Sequence, residues 1–266
     1  MLAEERWQNI LDLVNSQNIV SVQELSKRLG TSEVTIRRDL SELEEIGKLK
    51  RVHGGAMRNE QISSSIEPKF SQLANDNVSF KEQIADYAMG MIKDSTAIML
   101  DASSTVLMLA QRIRKRKWKE LTVVTNSVRV IMELVDCEGI ELVLIGGQVR
   151  KNLVSCAGFL AEMQLKQLKV DISFLGINGI DLEENAMTTP NLSEAAIKRA
   201  MFKCTKKSII LADHSKFNRS YLGMECAASD VDLIITDDQV DMSIIRRAQE
   251  IGVELRIAPR TNILDA

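Results

Sequence analysis

The strongest constraint on this chain is an alternation in its last two thirds. Seven short, β-rich apolar runs occur at residues 97–100, 121–125, 140–145, 170–175, 208–212, 233–236 and 253–257. Between many of them lie amphipathic stretches, such as 80–92, 104–116, 193–202 and 242–250. A strand that is apolar along its whole length is buried on both faces. Such strands, alternating with helices, predict a mostly parallel sheet covered on each side, with right-handed crossovers. The runs end in Asp101, Asn126, Gly146-Gly147, Gly176, Asp213 and Asp237. Ligands of open α/β sheets bind outside the carboxyl ends of the strands, so these polar and small residues mark a candidate crevice. The same residue types also make ordinary turns and helix caps.

Composition narrows the class further. The chain has 266 residues, 45% hydrophobic and 27% charged, which fits about two globular domains of ~150 residues each. No apolar run approaches the ~18 residues of a membrane span. The start, MLAEERWQNIL, lacks the order of a signal peptide, so a cytoplasmic location is expected. The four cysteines (137, 156, 204 and 226) form no C-x-x-C pair, and the only histidines are His53 and His214. No metal site or cofactor is expected from such a set. The net charge of -3 means that any nucleic-acid surface must be a local concentration of cations.

Residues 1–58 supply one. Ser21 with Glu24 forms a capping box opening a helix through Leu29, which Gly30 ends. Ser32 caps a second helix running to about Glu45 and stopping at Gly47. Two helices joined by so short a turn form a helix-turn-helix. At about 100° per residue, Leu40 and Leu43 fall within about 40° of Ile36 and form a core stripe, with Val34, Arg38 and Ser41 opposite. Thr35 and Arg37 flank that outer face near the helix start, where recognition helices reach base edges. Arginine forks onto guanine, and a small apolar group meets a thymine methyl. The run KLKRVHGGAMR (48–58) follows, with no acid in it. Gly54-Gly55 suits a hairpin turn, so Lys48, Lys50, Arg51, His53 and Arg58 form a candidate phosphate-gripping wing. Residues 59–77, NEQISSSIEPKFSQLANDN, read as a polar linker. The third region is 78–266.

The motifs TSEVTIRRDL (31–40) and KRVHGGA (50–56) resemble the N-terminal signature of DeoR-type bacterial transcription regulators. The resemblance implies a winged helix-turn-helix, with its motif near 20–39 and DNA contacts at Ser32, Thr35, Arg37 and Arg38. Asp39 also fits that pattern; its angle near the core edge gives it a structural role, pairing or capping locally. DASST (101–105), VTNS (124–127), IGG (145–147), FLGINGID (174–181), SEAAIKRAM (193–201) and DHSKF (213–217) follow in family order. DeoR-type sensor domains are similar in fold to ribose-phosphate isomerase and commonly bind phosphorylated sugar-pathway metabolites. The family usually has glycine where Ser103 stands, and commonly where Asn185 stands.

The residues support a phosphate site on their own terms. Ser103, Ser104 and Thr105 follow a strand and open a helix, whose N–H groups with these hydroxyls form a phosphate cradle. Lys216 adds a point charge, Asp101 suits sugar hydroxyls, and Arg150 follows the Gly146-Gly147 turn as an anion binder. Asn126, Asn178 and Lys198 complete the candidate effector set. Simple capping by the serines and a plain turn at Gly146 remain open at this level. Glu194 either faces the crevice or completes a capping box begun at Asn191. The run RIRKRKWK (112–119) is either a nucleic-acid patch or a helix end whose cations suit the dipole.

The expected fold is therefore α/β: an N-terminal winged helix-turn-helix, then a larger, mostly parallel sensor domain resembling ribose-phosphate isomerase. The expected function is a non-enzymatic regulator, a repressor of a carbohydrate-utilisation operon, with no catalytic residues. Its expected partners are double-stranded operator DNA and a phosphorylated sugar, with no membrane, in a homo-oligomer (dimer or tetramer). Two other classes compete. One is a sugar-phosphate isomerase with an accessory DNA-binding domain, using Asp101, Glu194, Asp213 and Lys216 for proton transfer. The other is a structural nucleic-acid-binding protein with no ligand.

Overall fold

The computed structural model describes residues 3–17, 19–45, 48–52, 54–58 and 67–260. The chain divides into two compact units, Met1–Ser64 and Ser65–Ala266.

The first unit holds α1 (Ala3–Gln17), β1 (Ile19–Ser21), α2 (Val22–Leu29), α3 (Glu33–Glu45), β2 (Leu49–Val52) and β3 (Gly55–Arg58). Ser21 caps α2 by accepting from the Glu24 amide, and Gly30 closes it in the left-handed conformation, φ 60°. Ile36, Leu40 and Leu43 of α3 are buried against Ile10, Val14, Val20 and Leu25. The expected hairpin forms, but as part of a three-stranded antiparallel sheet in the order β1-β3-β2. β1 is too short to stand out in sequence. It runs so close to β3 that a Cβ on Gly55 would lie 2.3 Å from the Val20 carbonyl oxygen. Only glycine fits there.

In the second unit come α4 (Phe70–Asn75), α5 (Val78–Met89), β4 (Thr96–Leu100), α6 (Ser104–Lys115), β5 (Leu121–Thr125), α7 (Val128–Leu134), β6 (Ile140–Leu144), β7 (Gln148–Arg150), β8 (Ser155–Ala157), α8 (Phe159–Leu165) and β9 (Val170–Gly176). They are followed by β10 (Gly179–Asp181), β11 (Ala186–Thr189), α9 (Leu192–Lys203), β12 (Thr205–Leu211), β13 (Gly223–Ala227), β14 (Leu233–Thr236), α10 (Met242–Glu250) and β15 (Leu255–Ile257).

All seven apolar runs become strands of one sheet, ordered β15-β14-β12-β9-β4-β5-β6, with every pair parallel. Ile98 and Leu100 of β4 pack with α5, α6 and α7 on one face. Met99 packs with α8, α9 and α10 on the other. The chain winds outward from β4 to β6, then returns to place β9 on the opposite side of β4. The switch point of the topology is therefore the gap between the carboxyl ends of β4 and β9, where Asp101 and Gly176 stand.

Three features depart from the sequence expectation. The second half of the stretch read as a linker is structured: α4 lies within it, because Phe70 is buried against Ala102 and Leu153. A three-stranded antiparallel sheet, β10-β11-β13, and the β7-β8 pair lie outside the main sheet. Their short strands carry too little alternation to be seen in advance.

Candidate nucleic-acid interface and effector cleft

On α3, Val34 is 77% exposed, and Arg38 points outward with its guanidinium 3.0 Å from Glu42. Ser32 accepts from the Thr35 amide and bonds the Thr35 hydroxyl at 2.9 Å, so it caps α3 as expected. Arg37 pairs with Glu33, one turn back. Arg51 of β2 donates to the Ser41 hydroxyl at 2.7 Å, and its amide donates to Glu44 at 2.8 Å. These contacts fix the wing against the helix. Lys48 and Lys50 are exposed beside it. His53 lies outside the described residues, as does the Arg58 side chain.

Asp39 is structural, though its partners are distant in sequence. It is buried, and accepts from Arg6 at 2.5 and 2.9 Å and from the Trp7 indole at 2.9 Å. Burial pushes its carboxyl up, but the Arg6 and Trp7 hydrogen bonds and the Arg6 charge outweigh that and hold it below the usual range.

At the sheet's switch point, Ser103, Ser104, Thr105, Gly176, Asn178, Lys198 and Lys216 line one narrow cleft, with Glu67, Lys81 and Glu194. Ser103 caps α6 through the Val106 amide at φ -76°, so the position needs no glycine conformation. Asp101 sits beneath rather than in the cleft, accepting from the Ser103 amide and the Gly176 amide, each at 2.9 Å. Lys198 donates to the Gly176 carbonyl and stands 3.3 Å from Asp101 and 3.6 Å from Glu225. Burial pulls its ammonium down, but those two carboxylates outweigh it and raise its pKa. Two buried acids thus share one cation, and burial pushes Glu225 up to about 7.

Asn126 does not reach the cleft. It is buried, with its amide donating to the Cys156 carbonyl at 2.9 Å, and so joins β5 to β8. Arg150 sits beside the cleft as the shared partner of Glu67 and Glu194. Asn191 caps α9 through the Ser193 and Glu194 amides, which leaves the Glu194 carboxylate for Arg150.

Lys81 and Glu67 belong to the cleft, and the sequence reading passed both over. Lys81 is buried within α5 and donates to the carbonyls of Leu73 and Asp76. Burial pulls its ammonium down to about 8 despite nearby Asp213. A lysine in the apolar phase of a helix was the signal available. Glu67 gave none, because it falls in the stretch read as linker. Asp213 is buried, capping the turn His214–Lys216 and accepting from Asn77. Burial alone would raise it; Lys216, Ser215, Lys81 and Asn77 together bring it to about 2.

A larger groove of about 320 Å³ lies between α8 and α9, lined by Lys166, Lys169, Arg199 and Lys203 among others. It sits at the amino end of β9, away from the switch point. Lys169 donates to the Lys203 carbonyl at the end of α9, and Arg199 to the Met224 carbonyl of β13. In the run 112–119, Arg112 pairs with Glu82 and Asp86, Arg114 with Glu133, and Arg116 with Asp94. Its three arginines are thus paired with acids at and just beyond the end of α6.

Comparison with known proteins follows the same division. Residues 6–62 match the DeoR-like helix-turn-helix domain, and residues 76–238 match the DeoR C terminal sensor domain. The HTH-type transcriptional regulator GolR of Listeria innocua serovar 6a is 35% identical over 262 residues, covering 97% of this chain and 100% of that one. The lactose phosphotransferase system repressor of Lactococcus lactis subsp. lactis is 31% identical over 243 residues, covering 90% and 93%. Among solved structures, a ribose 5-phosphate isomerase A from Methanocaldococcus jannaschii aligns at 20% identity and a TM-score of 0.39, covering 53% of this chain and 55% of that one. Matched in order over nearly its whole length, the chain belongs to the DeoR family of helix-turn-helix transcription regulators.

Proposed function

We propose that this regulator is a repressor of a carbohydrate-utilisation operon, released or engaged by a phosphorylated sugar that binds the cleft at the β4–β9 switch point. The observation that carries the reading is that the α6 N-terminus, with Ser103, Ser104 and Thr105, and the side chains of Lys81, Lys198 and Lys216 line the same cleft. Helix N-termini favour anions, and several cations raise that preference. Asn178, whose carbonyl accepts from Thr189 at 3.0 Å, keeps its amide for a sugar hydroxyl. Asp101 positions the loop, Arg150 answers the anion, and Asn126 supports β8 from behind. A repressor among the relatives, that of the lactose phosphotransferase system, agrees with this reading.

On the DNA side, Val34, Thr35, Arg37 and Arg38 read bases. Ser32 and Ser41 support that helix, and Lys48, Lys50, Arg51 and His53 grip phosphates. Paired half-sites demand paired readers, so the working form is a homo-oligomer acting in the cytoplasm. We read the chain as no enzyme. Asp101, which holds the cradle loop, spends its oxygens on two backbone amides, and Glu67 and Glu194 are paired with Arg150, which leaves them poor proton shuttles.

The test is to select duplexes from a random pool with the full chain, then to measure binding with and without a panel of sugar phosphates. At least one phosphosugar should change affinity for the selected duplex several-fold. Its unphosphorylated parent should not. No response to any phosphosugar, or turnover of one of them, would defeat the reading.

A further inference from the structure

Arg150 lies between two carboxylates, Glu67 and Glu194, and pairs with both. The three side chains are 11%, 9% and 4% exposed, respectively. One guanidinium thus faces two acids beside a cleft whose other polar lining groups are hydroxyls, an amide and cations. The acids repel each other, and the arrangement holds because the planar fork reaches both.

The two are not held alike. Glu194 is in the first turn of α9, whose N-terminus is capped by Asn191 and favours a negative charge. Glu67 stands on irregular backbone ahead of α4. Among the described residues, its local ties are the Asn152 amide at 3.4 Å and, three residues on, the Phe70 amide to the Asn152 carbonyl at 3.1 Å. The cleft it lines has a free volume of only about 40 Å³, against the ~300 Å³ or more of ordinary small-molecule sites. A ligand the size of a sugar phosphate needs something to withdraw, and Glu67 lines the cleft from irregular backbone rather than from a helix or strand.

We propose that Glu67 is a built-in stand-in for the effector's anionic group: it occupies Arg150 until a phosphate dianion enters the cleft and displaces it. This rests on the reading of the cleft as the effector site, and deepens it. A tethered carboxylate competes at high effective concentration, so a neutral sugar does not dislodge it. A phosphate offers Arg150 two oxygens and more charge. Displacement also frees the backbone at 67–73, nine residues beyond Arg58 of β3 in sequence. Lys81 still grips the carbonyls of Leu73 and Asp76, so the release stays local.

The test uses the full chain, wild type and Glu67→Gln, titrated with inorganic phosphate at constant ionic strength and followed by amide hydrogen exchange. Phosphate should slow exchange at Ser104 to Val106 and speed it at Phe70 to Leu73 in the wild type. Glu67→Gln should exchange fast at 70–73 without phosphate and bind phosphate about tenfold more tightly, as for removal of a closed state populated about 90%. Protection at 104–106 with no change at 70–73 and equal affinity in both chains would overturn the stand-in and leave the cleft reading intact. No protection at 104–106 in either chain would overturn both. The wild-type exchange pattern decides the matter even if the variant folds poorly.

Discussion

Ser103 and Gly176 face each other across the switch point so closely that a Cβ on Gly176 would lie 2.3 Å from the Ser103 Cβ and 2.4 Å from its hydroxyl. The side chain at 103 is compatible with the loop because glycine at 176 makes room for it. Gly176→Ala should therefore cost about 1–3 kcal/mol through overpacking. Adding Ser103→Gly should recover most of that, since serine to glycine at an N-cap costs only a few tenths of a kcal/mol. Thermal unfolding of the single and double variants is the measurement. A double variant no more stable than Gly176→Ala would place the crowding elsewhere.

Asp39 ties α3 to α1 through Arg6 and Trp7. Removing the carboxylate strands a guanidinium that is 14% exposed. Asp39→Ala should destabilise the first unit by about 3 kcal/mol, the cost of breaking a buried pair from one side. Because its folded pKa is depressed, the contribution is present above the ordinary aspartate pKa and fades as pH falls through the folded one. Amide exchange at Ile36 to Leu43 should rise about a hundredfold at neutral pH. An unchanged rate would show the pair to be ornamental.

How much of this was legible in advance follows from the range of each interaction. The sheet strands announce themselves because full burial demands continuous apolar runs such as Val123 and Val124 in β5. The outer face of α3 is equally plain, since Ile36, Leu40 and Leu43 fix its inner face by periodicity alone. Ser103 and Asn178 could be assigned to one crevice because strand ends converge in any open sheet, whereas Lys198 reaches it from the interior of α9. Asn126 also ends a strand, yet turns away to bond Cys156, a choice set by β8 rather than by its neighbours. Glu67 and Asp39 act through partners 83 and 33 residues distant, and no local pattern encodes such pairs.

The recognition face predicts a split between two kinds of contact. The Arg38–Glu42 pair is exposed and worth at most about 1 kcal/mol, so DNA can take Arg38 from it cheaply. Arg38→Ala should cost about 1–3 kcal/mol on the selected duplex and relax preference at one base position. Lys50→Ala should weaken binding to all duplexes alike and lower the salt slope by about 1. Fluorescence anisotropy over a salt series separates the two. Equal losses on specific and random duplexes for Arg38→Ala would remove it from base readout.

Glu225 predicts a pH signature for the buried charge cluster. Neither of its oxygens has a hydrogen bond among the described residues, and its only ion pair there is Lys198 at 3.6 Å. Its folded pKa of about 7 lies above the value near 4.5 expected when unfolded. The folded state therefore holds an extra proton between those limits, and stability falls as pH rises through that window. Glu225→Gln, which cannot ionise, should show little change near pH 4.5 and gain stability over wild type as pH approaches 8. The gain is bounded at about 3 kcal/mol by a shift of about 2.5 units. Unfolding midpoints of the two chains across pH 4.5 to 8 should diverge; parallel curves would mean that Lys198 fully compensates the carboxylate.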